Sequence, residues 1–250
     1  MLFSLAVIGF LSVVQSQTTT PDIPTVPCYG PDCLATKSST EIITTTPISS
    51  STSSPGITQR TVVFVYKVTS TGQDMFVLGG IDQQIRPGCT GVTNAEISPC
   101  AISIEVNSLG NGTSWEKYDA WRIGDTKLDW YGAEKGQGTY MGTSASGTPM
   151  ALTTNVKGKP EYQELNKWGE NYWMVDMEMD CSETEEGWFE LKFFLTYFGA
   201  GNEGDIYQLR CTGTGAEDPP YTNTKNHMGR CGFINVFTFN GFSCEINAFD

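Results

Sequence analysis

A single histidine, His227, occurs in 250 residues. A Ser-His-Asp triad would have to use it, and imidazole-based zinc coordination has almost nothing to draw on. It stands in "NTKNHMGRC", beside a cysteine, where a structural hydrogen-bonding role is expected. Cations are also scarce: 15 Lys and Arg face 28 Asp and Glu, for a formal charge of −13. Such a chain repels nucleic acid and anionic membrane. Its partners are expected to be neutral, such as polysaccharide, or cationic, such as calcium or basic matrix proteins. Phosphate-cradling glycine patterns are missing too, since "GTGAED" and "GQGTYMG" fit neither nucleotide-loop pattern. No apolar run is long enough to span a bilayer.

Residues 1–16, "MLFSLAVIGFLSVVQS", carry no charged side chain and end in small residues, as a secretory signal peptide does. The eight cysteines are then expected to be oxidised, which removes a thiol nucleophile or a thiolate metal site. Residues 17–60 are a separate region. Of residues 17–59, 24 are Thr, Ser or Pro, too polar to offset the entropy of ordering, so a disordered, mucin-like stalk is expected. Within it "CYGPDC" allows a small Cys28–Cys33 loop. The first 60 residues hold three acids and two bases, so −12 of the charge falls on residues 61–250.

Strand patterns fill that remaining domain. "TVVFVYKV" (61–68) and "DMFVLGGI" (74–81) flank a turn and read as a hairpin. "CAISIEV", "YWMVDMEMDC", "GWFELKFFLTYF", "GFINVFTF" and "SCEINAF" complete the set, and only "KPEYQELNKW" (159–168) suggests a helix. With no internal repeat, this is an all-β pattern: an antiparallel β-sandwich with long loops over residues 61–250, stabilised by disulfides. Cys89–Cys100 would close a short local loop. For the other four cysteines Cys181–Cys231 and Cys211–Cys244 are taken as working pairs, although spacing leaves the connectivity open.

One strand, "YWMVDMEMDC", alternates sharply. Val175, Met177, Met179 and Cys181 would face the core, with Met174, Asp176, Glu178 and Asp180 outward. Neighbouring carboxylates then lie about 7 Å apart, a repulsion of about 0.6 kcal/mol in water. Three interpretations compete: a hydrated strand face, a weak Ca²⁺ site, and a glycosidase acid pair drawn from Asp176, Glu178 and Asp180. The hydrated face costs least.

The aromatic residues carry more information. Most Phe lie in apolar strand runs, whereas Trp121, Trp130, Tyr131, Trp168 and Tyr172 have loop companions such as Gly, Asp, Asn and Lys. An exposed indole or phenol can stack on the C–H face of a sugar ring, with Asp129 and Asn171 placed to bond hydroxyls; the competing role is packing under loops. Asn111, in "NGT", is the sole N-glycosylation sequon.

The run Thr61–Val65, "GQDMF", "GGID", "LDWYG", "WG…YW", "DC", "GWFELK", "NH", "CG" and "NVF" follow one another through residues 61–250. In that order they resemble an accessory domain that follows the catalytic part of some secreted animal and bacterial α-amylases. The opening strands are also faintly similar to starch-binding domains. About 190 residues cannot hold an amylase barrel as well. The resemblance therefore implies a free-standing accessory domain without amylase activity and suggests starch binding; with the signal-like opening run, the expectation is a secreted, non-catalytic, carbohydrate-binding-like module with no cofactor beyond weakly held Ca²⁺. An acidic structural glycoprotein of an extracellular matrix, such as a mineralised one, and a β-sandwich glycosidase are the alternatives.

Overall fold

The computed structural model describes residues 58–197 and 201–250. The run 1–16, the Cys28–Cys33 loop and the 17–60 segment up to residue 57 lie outside the described residues. Fourteen strands are described: β1 (Thr58–Tyr66), β2 (Met75–Gly80), β3 (Ile102–Val106), β4 (Lys127–Leu128), β5 (Thr139–Tyr140), β6 (Thr143–Ser144), β7 (Thr148–Pro149), β8 (Ala151–Thr153), β9 (Tyr172–Asp180), β10 (Trp188–Leu195), β11 (Gly201–Asn202), β12 (His227–Arg230), β13 (Ile234–Thr238) and β14 (Cys244–Asn247). One short helix, α1 (Glu116–Trp121), stands between β3 and β4.

The larger sheet has the order β14-β13-β1-β9-β3-β4, with β8 also on β9; the smaller runs β11-β10-β2-β7, with β12 also on β10. Val63, Val65, Val175, Met177 and Met179 of the larger sheet meet Met75, Val77, Phe189, Leu191 and Phe193 of the smaller one in a single buried cluster. Two sheets thus share one core, the sandwich arrangement. All three domain disulfides form: Cys89–Cys100, Cys181–Cys231 and Cys211–Cys244. No helix among the described residues is long and apolar enough to cross a membrane.

Several expectations need correcting. β1 and β2 are not a hairpin: β1 pairs with β9 and β13, β2 with β10 and β7. Both runs are apolar on both faces, which suits the middle of a covered sheet, so each lies inside its own layer and an exposed turn carries the chain from one sheet to the other. The β1–β13 pair is parallel, so the larger sheet is mixed rather than purely antiparallel. Residues 159–168 form turns, not a helix. β1 opens at Thr58, so Arg60 belongs to the folded domain rather than to the stalk.

The acidic strand β9 is also covered more than its alternation suggests. Met174 lies in a second apolar cluster on the outer side of the larger sheet, with Val62, Phe64, Ile234 and Val236. Asp176 is only 4% exposed. Arg60 Nε donates to its Oδ1 at 3.1 Å and Arg60 Nη2 to its Oδ2 at 2.5 Å, while Asn107 Nδ2 donates to Oδ1 at 3.0 Å. Asp180 Oδ1 accepts from Ser182 N at 2.9 Å and Ser182 Oγ at 2.6 Å, capping the next turn. Glu178 faces Glu105 across the β3–β9 ladder. The three acids are thus held differently: Asp176 in a nearly covered ion pair, Asp180 as the cap of the next turn, and Glu178 opposite Glu105.

Candidate functional site

The site begins where β2 ends. Gly79 and Gly80 let two other chain segments approach the strand very closely: a Cβ at Gly80 would lie 2.2 Å from the Cys100 carbonyl oxygen, and Gly80 has φ +124°. Gly79 N donates to Asp129 O and Ile81 N to Cys100 O, each at 2.8 Å. The loop after β4 is thereby clamped against the end of β2. Trp130 Nε1 donates to Ile81 O at 3.1 Å, which fixes the indole with part of its surface uncovered. Tyr131 follows at 38% exposure.

A pocket of about 320 Å³ opens between these elements, walled by Ile81, Asp82, Trp130, Tyr131, Lys192 and Asn226, with the Cys89–Cys100 disulfide in its lining. Its size and its mixture of apolar rings and few polar groups are those of a small-ligand site. Behind it lies Glu190, with no solvent exposure. Its Oε1 accepts from Asp82 N at 3.2 Å and Tyr221 Oη at 3.0 Å; its Oε2 accepts from Asn226 Nδ2 at 2.6 Å and from Thr224 Oγ1. Asn226 Nδ2 also reaches Asp82 Oδ2 at 3.2 Å. One buried carboxylate thus ties β10 to the end of β2 and to the segment before β12, and sets both polar walls. Burial, followed by the neighbouring Glu190 charge, pushes the Tyr221 phenol up.

Asp129 is only 4% exposed and its Oδ1 accepts from Tyr131 N at 2.5 Å. Through Oδ1 it orients Tyr131, and it lines a neighbouring pocket with Tyr131, Gly132 and Glu134 rather than the one walled by Trp130. Burial raises its pKa to about 6; the Tyr131 amide opposes the shift and Glu134 adds to it. Asp125 is buried nearby with Oδ2 unpartnered among the described residues, and burial, then Glu134, holds its pKa well above the usual carboxylate range.

Trp121 is a correction. It is 3% exposed, its Nε1 donates to Thr143 O at 2.9 Å, and its ring sits 5.1 Å from that of Phe76. It seals the outer side of the smaller sheet and has no free face for stacking. Trp115, Trp173 and Trp188 are buried as well. Trp168, Asn171 and Tyr172 gather elsewhere, on the outer side of the larger sheet. The sequence-selected residues therefore divide into two groups, with Trp130 and Tyr131 lining the pocket. Comparison with family models, curated proteins and solved structures finds no match.

Sequence reasoning missed Asp82, Glu190, Lys192 and Asn226. The one available signal was Glu190 itself, a carboxylate on the same side as Trp188 within the apolar strand "GWFELKFF". His227, next to Asn226, is fully buried between Phe193 and Phe237, with Nε2 3.2 Å from Glu203 Oε1. It is part of the core, as its setting suggested. Asn111 is exposed, in the loop before α1. Among the described residues, no group of three or more His, Cys, Asp or Glu side chains is arranged to hold a metal ion.

Proposed function

We propose that this is a secreted, non-catalytic carbohydrate-binding module and that the pocket beside Trp130 and Tyr131 takes a neutral sugar unit of an extracellular polysaccharide. The observation that carries this reading is the pairing of two partly open aromatic rings with Asp82, Lys192 and Asn226 in one pocket. The rings offer flat apolar faces to a pyranose, and the three polar side chains offer both donors and acceptors to its hydroxyls. The "GGID", "LDWYG", "GWFELK" and "NH" motifs behind the resemblance to amylase accessory domains all contribute to this one place. Three disulfides and the signal-like opening run support an extracellular location.

The test is calorimetric titration and thermal shift across a panel of neutral oligosaccharides. Trp130→Ala and Tyr131→Ala are each expected to weaken binding at least tenfold, about 1.4 kcal/mol; Tyr131→Ala should change the melting temperature little, while Trp130→Ala also loses the bond to Ile81 and lowers it. Wild-type protein that binds nothing in the panel refutes the proposal.

The acidity of the domain favours a second role in an extracellular matrix, with calcium held weakly at the surface. Glu105 opposite Glu178 is the specific pair that a cation would relieve. Calcium titration checks it: Glu178→Gln is expected to remove part of any binding.

A further inference from the structure

We propose that the outer side of the larger sheet carries a second glycan-binding surface, formed by Tyr66, Tyr172 and Trp168, so that one domain bridges two polysaccharide chains. This rests on the carbohydrate reading above but uses none of the same residues.

Tyr66 and Tyr172 are direct partners across the β1–β9 ladder, and their ring centroids are 5.3 Å apart. The Trp168 ring continues the row at 6.2 Å from Tyr172. Tyr66 is 38% exposed, and Tyr172 and Trp168 are partly open. The three rings are tilted by 53° and 43° to their neighbours, so they form a stepped row, each ring meeting a separate unit of a twisted chain, rather than one flat plate.

The platform is built rather than incidental. Asn166 is buried; its Oδ1 accepts from Trp168 N at 3.0 Å and Gly169 N at 3.1 Å, and its Nδ2 donates to Thr153 Oγ1 at 2.9 Å and Gly169 O at 2.8 Å. Trp168 Nε1 donates to Glu245 Oε2 at 3.0 Å, and Asn247 Nδ2 holds the other oxygen of Glu245 at 2.7 Å. The indole is thus locked at both backbone and ring. Asn171, at φ +65°, turns the chain into β9, and its carbonyl accepts from Lys67 N at 3.0 Å.

Packing explains only part of this row. Trp168 covers Phe64 at 5.1 Å, within the outer apolar cluster. Tyr66 packs against Tyr172 at the rim of that cluster and keeps 38% of its surface open. Beside Trp168 a cleft of about 650 Å³ is lined by Arg60, Glu164, Lys167, Glu245, Asn247 and Phe249. The charges there are mixed, and Arg60 is engaged by Asp176. Within a domain whose net charge is −11 once Arg60 is included, this gives no cationic stripe for a polyanion. The occupant that fits is a neutral polysaccharide chain.

The two surfaces lie on opposite sides of the core. Tyr66 and Tyr172 share the outer side of the larger sheet with Val62, Phe64 and Met174. On β10, Leu191 and Phe193 point into the core, so Glu190 and Lys192 point to the outer side of the smaller sheet. A short oligosaccharide cannot reach both.

Calorimetry with maltohexaose, cellohexaose and chitohexaose tests the idea. Wild-type protein is expected to bind two equivalents of at least one of them. A Tyr66→Ala/Tyr172→Ala variant should bind one, a Trp130→Ala/Tyr131→Ala variant one, and the combined variant none. Because Tyr66 is so exposed, the single Tyr66→Ala substitution, checked by its melting temperature, keeps the test valid if the double variant is unstable. It should weaken the second site at least tenfold. One equivalent in wild type, unaffected by Tyr66→Ala and lost in the Trp130→Ala/Tyr131→Ala variant, overturns the bridge and leaves the pocket standing. Binding lost only in the Tyr66 variants refutes the pocket and sustains the platform; no binding at all overturns both.

Discussion

Glu190 illustrates how much one residue can determine here. Its side chain meets four donors, from Asp82, Tyr221, Thr224 and Asn226, with no solvent contact. Removing the carboxylate leaves those donors unpaired in an apolar setting. Glu190→Ala is expected to cost about 3–5 kcal/mol and to lower the melting temperature by roughly 6–20 °C, measured by calorimetry. Glu190→Gln keeps the shape and one acceptor and should cost less than half as much. Asp129 gives a residue-scale pH dependence. Its folded pKa of about 6 lies above the ordinary 3.8, so the folded state holds its proton more tightly than the unfolded state. Stability from this group is complete below about pH 4, falls as pH rises towards 6, and is level above that. The change is about 3 kcal/mol, and Asp129→Asn should flatten that part of the stability curve. Asp125, buried and shifted in the same direction, adds to the decline as pH rises. Residue identity alone could not sort these roles. Trp121 and Trp130 have similar polar neighbours in sequence, yet one seals a sheet and the other lines a pocket. Only long-range contacts, Phe76 for the first and Ile81 for the second, distinguish them.

At the scale of elements, every strand run picked out in the sequence forms a strand, because apolar and β-branched density decides that locally. Pairing was not legible. The β1–β2 turn suits a hairpin, but a strand apolar on both faces needs neighbours above and below as well as beside it. The structure meets that need by placing β1 and β2 in different sheets. The start of β1 escaped the sequence for a different reason. Thr58, Gln59 and Arg60 have the composition of the stalk, and what recruits them is the register of Arg60 beside Asp176. Arg60 is nearly half exposed, while Asp176 is almost covered, so the pair matters mainly by satisfying the buried acid. Arg60→Ala is expected to destabilise the domain by about 1–3 kcal/mol, read from urea unfolding. Restoring much of that stability through Asp176→Asn in the same chain would show that the unpaired charge, not lost contact area, was the cause. Parity arguments also have a limit visible in β9. The alternation correctly sent Val175, Met177 and Met179 inward, but the outer side carries its own apolar cluster, so outward did not mean wet for Met174 or Asp176.

For the whole molecule, the disulfides separate stability from recognition. They close loops of 11, 50 and 33 residues. By loop-closure entropy the shortest is worth about 3 kcal/mol and the longest about 4. Cys181–Cys231 ties the end of β9, in the larger sheet, to the residue after β12, in the smaller one, so its loss should loosen the two layers against each other. Cys89–Cys100 is the weakest of the three by this measure, yet it alone lines the proposed pocket, and the Cys100 carbonyl meets Ile81 there. The two should respond differently to substitution. Cys181→Ala/Cys231→Ala is expected to lower the melting temperature by roughly 8–16 °C while leaving sugar affinity, measured well below that temperature, within about twofold. Cys89→Ala/Cys100→Ala should lose less stability but weaken binding of the neutral oligosaccharides at least tenfold, because the chain that backs Ile81 and Trp130 is no longer pinned. If both variants keep full affinity, the pocket does not depend on the clamp at the end of β2.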